Sequence, residues 1–141
     1  MPKIKSTTKR AAKRAPVAPA APDKRTAAVT AHIESRPGAT GSSLPSAPGV
    51  TLYKLMGKMF AILSTRKAHY VIVKSDPHFI ELLKEQYKGV SHRSHLDKRF
   101  WISIDLDSDV PLPEIEHLIT QSYAQIRESL TRKQKAELDA S

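Results

Sequence analysis

The chain has 141 residues, no cysteine, and 23 Lys and Arg against 14 Asp and Glu, a formal net charge of +9. That length supports one domain whose core needs neither metal nor disulfide staples. Without cysteine there are no disulfides, thiolate metal sites or thiol nucleophiles, and no apolar run suits a bilayer span or signal peptide, so a reducing, soluble, cytoplasmic setting is expected.

The charge is unevenly placed. Residues 1–25 hold Lys3, Lys5, Lys9, Arg10, Lys13, Arg14, Lys24 and Arg25 against Asp23, a net +7, which leaves fifteen basic and thirteen acidic residues, a net +2, for residues 26–141. Pro16, Pro19 and Pro22 interrupt any helix there, and with no aromatic residue the stretch cannot bury enough apolar surface to fold alone. It reads as a disordered cationic arm, similar in composition to the Lys/Ala/Pro tails of linker-histone-like proteins and able to follow phosphates without a fixed shape. A solubilising tail and a targeting peptide compete with this reading, although the prolines spoil the amphipathic helix of targeting peptides.

Residues 26–138 are expected to form the domain, ordered mainly over residues 50–131, with residues 139–141 as a tail. Thr26 to Ser35 permits a short helix that Pro37 and Gly38 stop and that docking has to stabilise. Residues 38–49, rich in Gly, Ser and Pro, read as a linker. Two β-type runs, Thr51 to Met56 and Met59 to Ser64, flank Gly57-Lys58, a two-residue loop of type II′ pattern. Tyr70 to Lys74 adds a third strand to an antiparallel meander.

Asp76 is placed to cap a helix that Pro77 opens, with Phe79, Ile80, Leu83 and Tyr87 at helical spacing before Gly89. In the next strand, Phe100 to Leu106, alternation puts Phe100, Ile102, Ile104 and Leu106 on one face and Trp101, Ser103 and Asp105 on the other. A last helix begins near Pro113, carries Ile115, Leu118, Ile119, Ser122, Ile126 and Leu130 on one stripe, and finishes in Arg132, Lys133 and Lys135. The fold class predicted is α+β, a single antiparallel sheet packed by helices.

Three stretches resemble the MmcQ/YjbR family. Tyr53-Lys54-Leu55-Met56-Gly57-Lys58-Met59-Phe60-Ala61 is similar to its Phe-Lys-Val-Gly-Gly-Lys-Met-Phe-Ala hairpin; Ser75-Asp76-Pro77 opens the helix; His95-Leu96-Asp97-Lys98-Arg99-Phe100-Trp101 is similar to its His-Met-Asn-Lys-Xaa-His-Trp segment. Arg36-Pro37-Gly38-Ala39-Thr40 before the hairpin agrees in order and spacing, and the likeness runs from about Thr26 to Leu138. The resemblance implies a CyaY-like (frataxin-like) fold and a DNA-binding role, with Lys58, His95, Lys98 and Trp101 near one another at one end of the sheet. Asp97 stands where the family has Asn and Phe100 where it has a second His, which damages any site built on that pair. Frataxins bind iron through an acidic ridge on the first helix, and Glu34 is the sole acid there, so iron delivery is not expected.

The nucleic-acid-binding set expected is Lys54, Lys58, His95, Lys98, Arg99 and Trp101, cations for phosphates and rings for stacking, joined by arm contacts from Lys3, Lys5, Lys9, Arg10, Lys13 and Arg14. Neither long helix presents a face of Arg, Asn or Gln for reading base edges, so binding to DNA, or to RNA, is expected to be mostly independent of sequence. His92 and His95 lack a third metal ligand at diagnostic spacing. Asp105, Asp107 and Asp109 begin like a calcium loop, but Val110-Pro111 stands where the glycine turn is needed. No phosphate loop, zinc-protease motif or nucleophile elbow is present, so neither a cofactor nor enzymatic activity is expected. The competing reading is a scaffold domain that receives a peptide or anionic small molecule, with the arm serving solubility.

Overall fold

The structure, a computed structural model, describes residues 20–94 and 96–140. The expected arm contacts, Lys3 to Arg14, and His95 lie outside the described residues. The elements run α1 (Ala20–Glu34), β1 (Ala39–Leu44), β2 (Ala47–Leu55), β3 (Lys58–Ser64), β4 (Tyr70–Lys74), α2 (Pro77–Gln86), β5 (Val90–Ser91), β6 (Trp101–Asp105), α3 (Leu112–Glu128) and α4 (Arg132–Ala140). The strands form one antiparallel sheet in the order β1-β2-β3-β4-β6-β5. The α+β class is as the sequence predicts.

One sheet face makes the core. Strand alternation sends Tyr53, Leu55, Phe60, Leu63, Val71, Val73, Ile102 and Ile104 inward. They meet Val29 and Ile33 of α1, Ile80 and Leu83 of α2, and Ile115, Leu118, Ile119 and Ile126 of α3. At a bulge between Tyr53 and Lys54, the extra residue on β3 turns both Phe60 and Ala61 into this core. The broken ladder is repaired by α3: buried Ser122 donates its hydroxyl to the Phe60 carbonyl at 2.6 Å and accepts the Lys74 N–H at 2.9 Å. This serine on the apolar stripe therefore fixes the end of β4, and with it the position of Lys74.

Several expectations are corrected. Ala20 to Arg25, assigned from the prolines to the arm, begin α1, and Arg25 hydrogen-bonds to the Ser108 and Val110 carbonyls. The expected linker, residues 38–49, supplies β1 and the start of β2, so order precedes Val50. Small residues suffice because β1 needs only backbone pairing with β2; a Cβ on Gly41 would lie 2.8 Å from the Tyr53 ring. The hairpin loop is Met56-Gly57, with Lys58 already in β3. Both loop residues have positive φ, +50° and +85°, which is the type I′ pattern rather than II′. Phe79, expected on the buried stripe of α2, is 53% exposed, while Ile80 and Leu83 face inward. Asp76 does cap α2, accepting the His78 N–H at 2.8 Å, and Pro77 opens it.

The single last helix is two. Thr131 accepts the Gln134 N–H at 3.1 Å and Gln134 Oε1 accepts the Thr131 N–H at 3.0 Å, a reciprocal capping box that starts α4. Leu138 of α4 then packs where Pro37-Gly38 turns; a Cβ on Gly38 would meet it at 2.3 Å. Replacing Thr131 with Ala is expected to lower unfolding stability by about 1 kcal/mol in urea titrations. An unchanged midpoint would show that α4 is held by Leu138 alone.

Candidate nucleic-acid interface

The β2–β3 turn, the end of β4 and the start of β6 lie at one end of the sheet, because Leu55 pairs with Lys58 and Lys74 with Trp101. Lys54, Lys58, Lys98, Arg99 and Trp101 are thus brought to the same end. Their side chains do different things. Lys58 Nζ donates to the Ser129 carbonyl at 2.9 Å and approaches Ser129 Oγ at 3.3 Å, so its charge serves the C-terminus of α3. Arg99 is paired with Asp97 at 2.7 Å. The Arg99 side chain, and then its backbone N–H, hold the Asp97 carboxyl down to about 2, and the carboxylate in turn raises Arg99. The pair is exposed, so it contributes little stability. Lys98 is exposed beside a hollow of about 400 Å³ bounded by Pro77, Ile80, Glu81, Lys84 and Arg99, where Glu81 and Lys84 stand 3.5 Å apart. Acids therefore intersperse the cations on this flank.

The other sheet face has a different balance. Opposite the core, the strands present Thr40, Ser42 and Leu44; Val50, Leu52 and Lys54; Met59, Ile62 and Ser64; Tyr70, Ile72 and Lys74; and Trp101, Ser103 and Asp105. No helix among the described residues covers this face, since α1, α2 and α3 contribute to the core on the far side. At one end of this face Lys54 stands opposite Met59 and Lys74 opposite Trp101. The half-buried indole of Trp101 makes no hydrogen bond or ring contact with another described residue. Lys74 Nζ lies 6.0 Å from the Phe100 ring centroid, and Arg99 approaches the same ring at 5.3 Å.

Asp105 is the only acid at these strand positions, and it is already paired. Arg93 bridges it at 3.1 Å, stacks over the Tyr70 ring at 5.2 Å, and its backbone N–H donates to Ser103 Oγ at 3.0 Å, which brings the chain after β5 over this face. Beside it lies a hollow of about 490 Å³ bounded by Ser64, Arg66, Lys67, Ala68, Tyr70 and Arg93. Asp109, considered above with a calcium loop, instead accepts the Lys88 and Gly89 N–H groups at 2.8 Å each, bonds that lower its carboxyl below the usual range. No helix among the described residues is long and apolar enough to cross a membrane.

Sequence reasoning missed Lys74, Arg66, Lys67 and Arg93. The alternation of Tyr70-Val71-Ile72-Val73-Lys74 carried half the signal, setting Tyr70, Ile72 and Lys74 on one face. The other half, that β4 pairs with β6 in the register Lys74–Trp101, crosses a helix and a loop and is not written in local pattern.

The YjbR family model matches residues 34–125. Among its relatives, the uncharacterized protein YjbR of Escherichia coli K12 is 30% identical over 95 residues, covering 67% of this chain and 80% of that protein. The uncharacterized protein YbdF of Escherichia coli O157:H7 is 26% identical over 90 residues, 63% of this chain and 74% of that protein. Two crystal structures share the fold. The Deinococcus radiodurans protein DR2400, with a DUF419 domain, superposes with a TM-score of 0.70 at 22% identity, over 79% of this chain and 85% of that one. A Pseudomonas syringae protein gives 0.60 at 17% identity, over 68% and 93%.

Proposed function

This chain belongs to the YjbR family, and from that premise we propose that it binds nucleic acid in the bacterial cytoplasm, mainly through charge and with little sequence preference. The observation that carries the reading is the segregation of charge. Residues 1–19 hold six cations and no acid, and the sheet face that no described helix covers holds Lys54 and Lys74, with Arg66 and Lys67 at its rim, against the one acid of its strand positions, Asp105, which Arg93 neutralises. Cations without carboxylate partners attract phosphates by counterion release, whatever the base sequence. Lys98 stands on the flank of the same surface, and the absence of a polar base-reading helix face argues against specificity. The CyaY-like assignment belongs to the same proposal, supported by helices gathered on one face of an antiparallel sheet.

A test separates the domain from the arm. In full-length protein whose six arm cations, Lys3 to Arg14, are changed to Gln, the further changes Lys54→Ala and Lys74→Ala are expected to weaken duplex-DNA binding and reduce the salt slope by about two. Unchanged affinity would remove the sheet face from the interface.

A second reading rests on the acids of the flank. Asp97 beside Arg99 and Glu81 beside Lys84 make the hollow near Lys98 one of mixed sign, which suits a peptide or small anionic ligand better than a phosphate chain. On that reading the domain is a scaffold and the arm serves solubility.

A further inference from the structure

The geometry points to a binding platform for single-stranded nucleic acid at the Trp101 end of the sheet face that no described helix covers, with Trp101 stacking on an unpaired base and Lys54 and Lys74 holding the adjoining phosphates. The inference rests on the nucleic-acid reading above and narrows it to one kind of ligand at one surface. A duplex keeps the faces of its bases buried in its own stack and offers a flat sheet only its phosphates. A single strand can lay its bases on an exposed ring. Among the aromatic residues of this face, Tyr70 is already covered by the Arg93 guanidinium, whereas Trp101 has no ring or hydrogen-bond partner among the described residues.

The surroundings fit a polyanion with an apolar underside. Lys74 stands directly opposite Trp101, and Lys54 stands opposite Met59 at the same end of the sheet. Leu52 and Ile62, both half-buried, pair across β2 and β3 as an apolar floor that continues into the buried Ile72 of β4. Along β6 the roughly 13 Å from Trp101 to Asp105, at about 3.3 Å per residue, is interrupted by Ser103, buried beneath the Arg93 backbone, so the accessible surface runs over Leu52 and Ile62 of β2 and β3 instead. At its far end is the hollow bounded by Arg66, Lys67 and Arg93. Cations thus stand at both ends of an apolar track, and the one acid along it is tied to Arg93. That charge arrangement selects a phosphate chain over an acidic-faced protein partner, because regularly spaced charges with aromatic rings between them match both ends of the track.

Trp101 is the only tryptophan of the chain, so its fluorescence reports on this surface alone. Full-length protein is titrated with oligo(dT), with oligo(rU) and with a duplex of equal length, each also followed by anisotropy of the labelled nucleic acid. Oligo(dT) is expected to quench the tryptophan emission saturably, and the duplex to bind with little quenching. Quenching by oligo(rU) of equal strength places RNA at the same platform and also supports it. Trp101→Ala is expected to weaken oligo(dT) binding about 5- to 150-fold, with Trp101→Phe closer to the native value and duplex affinity unchanged. Lys54→Ala with Lys74→Ala should weaken the same binding in a protein that retains its tryptophan signal. Oligo(dT) that binds by anisotropy without moving the emission, or that quenches no more than the duplex, overturns the platform while leaving nucleic-acid binding intact. If neither single strand nor duplex binds, the broader reading fails with it.

Discussion

Changing Lys3, Lys5, Lys9, Arg10, Lys13 and Arg14 to Gln should abolish most of the salt dependence of duplex binding. Each neutralised phosphate adds about 0.9 to the slope of log affinity against log salt, so six arm charges, with up to about two domain contacts, give a slope of about −5 to −7 for the full chain. Between roughly 50 and 200 mM salt the native protein then loses about 10³ to 10⁴ in affinity, whereas the neutralised protein, left with a few domain contacts such as Lys54 and Lys74, loses about tenfold. The substitutions lie outside the described residues, and circular dichroism and the unfolding midpoint, expected to stay unchanged, serve as the control for an intact fold. A native slope near zero would show that the arm does not neutralise phosphates.

Phe60→Ala is expected to have the largest effect on stability. The ring is fully buried at the β3 bulge, edge-on to Tyr123 with centroids 5.5 Å apart. Deleting it removes a large apolar surface and leaves a cavity that the flanking strands, fixed by their ladders, cannot close, at a cost of about 3–5 kcal/mol. That is a large part of the 5–15 kcal/mol typical of a domain. It also disturbs the Phe60 carbonyl, the anchor through which Ser122 holds the Lys74 N–H. Urea unfolding should show the loss in the midpoint, and any residual folded protein should bind single strands less well. A cost below about 1 kcal/mol would mean that the bulge collapses freely.

How far the sequence was readable depended on how local each signal is. The Tyr70–Lys74 strand, the Asp76-Pro77 helix start and the inward stripe of Ile115, Leu118, Ile119 and Ser122 follow from alternation, capping and helical periodicity, which act within a few residues. Residues 39–44 have no such pattern; they become a strand only because β2 offers a free edge, a tertiary cause. The capping box of Thr131 and Gln134 was visible as Thr-Xaa-Xaa-Gln but was masked by an apolar stripe that continues to Leu130. At the candidate interface, Lys54, Lys98 and Trp101 were legible as residue types near a hairpin and a strand. That Lys58 faces the end of α3, that Arg99 is tied to Asp97, and that Lys74 stands beside Trp101 all depend on how distant segments meet.

The most direct test of charge-led, sequence-tolerant binding is the affinity of the full chain for several unrelated duplexes of equal length at one low salt concentration. Tight binding to all of them is expected, with affinities within about threefold, since no base edge is read where one wrong base pair would cost about 1–3 kcal/mol. A single duplex bound more than about a hundredfold tighter than the rest, or no binding to any of them, would contradict it.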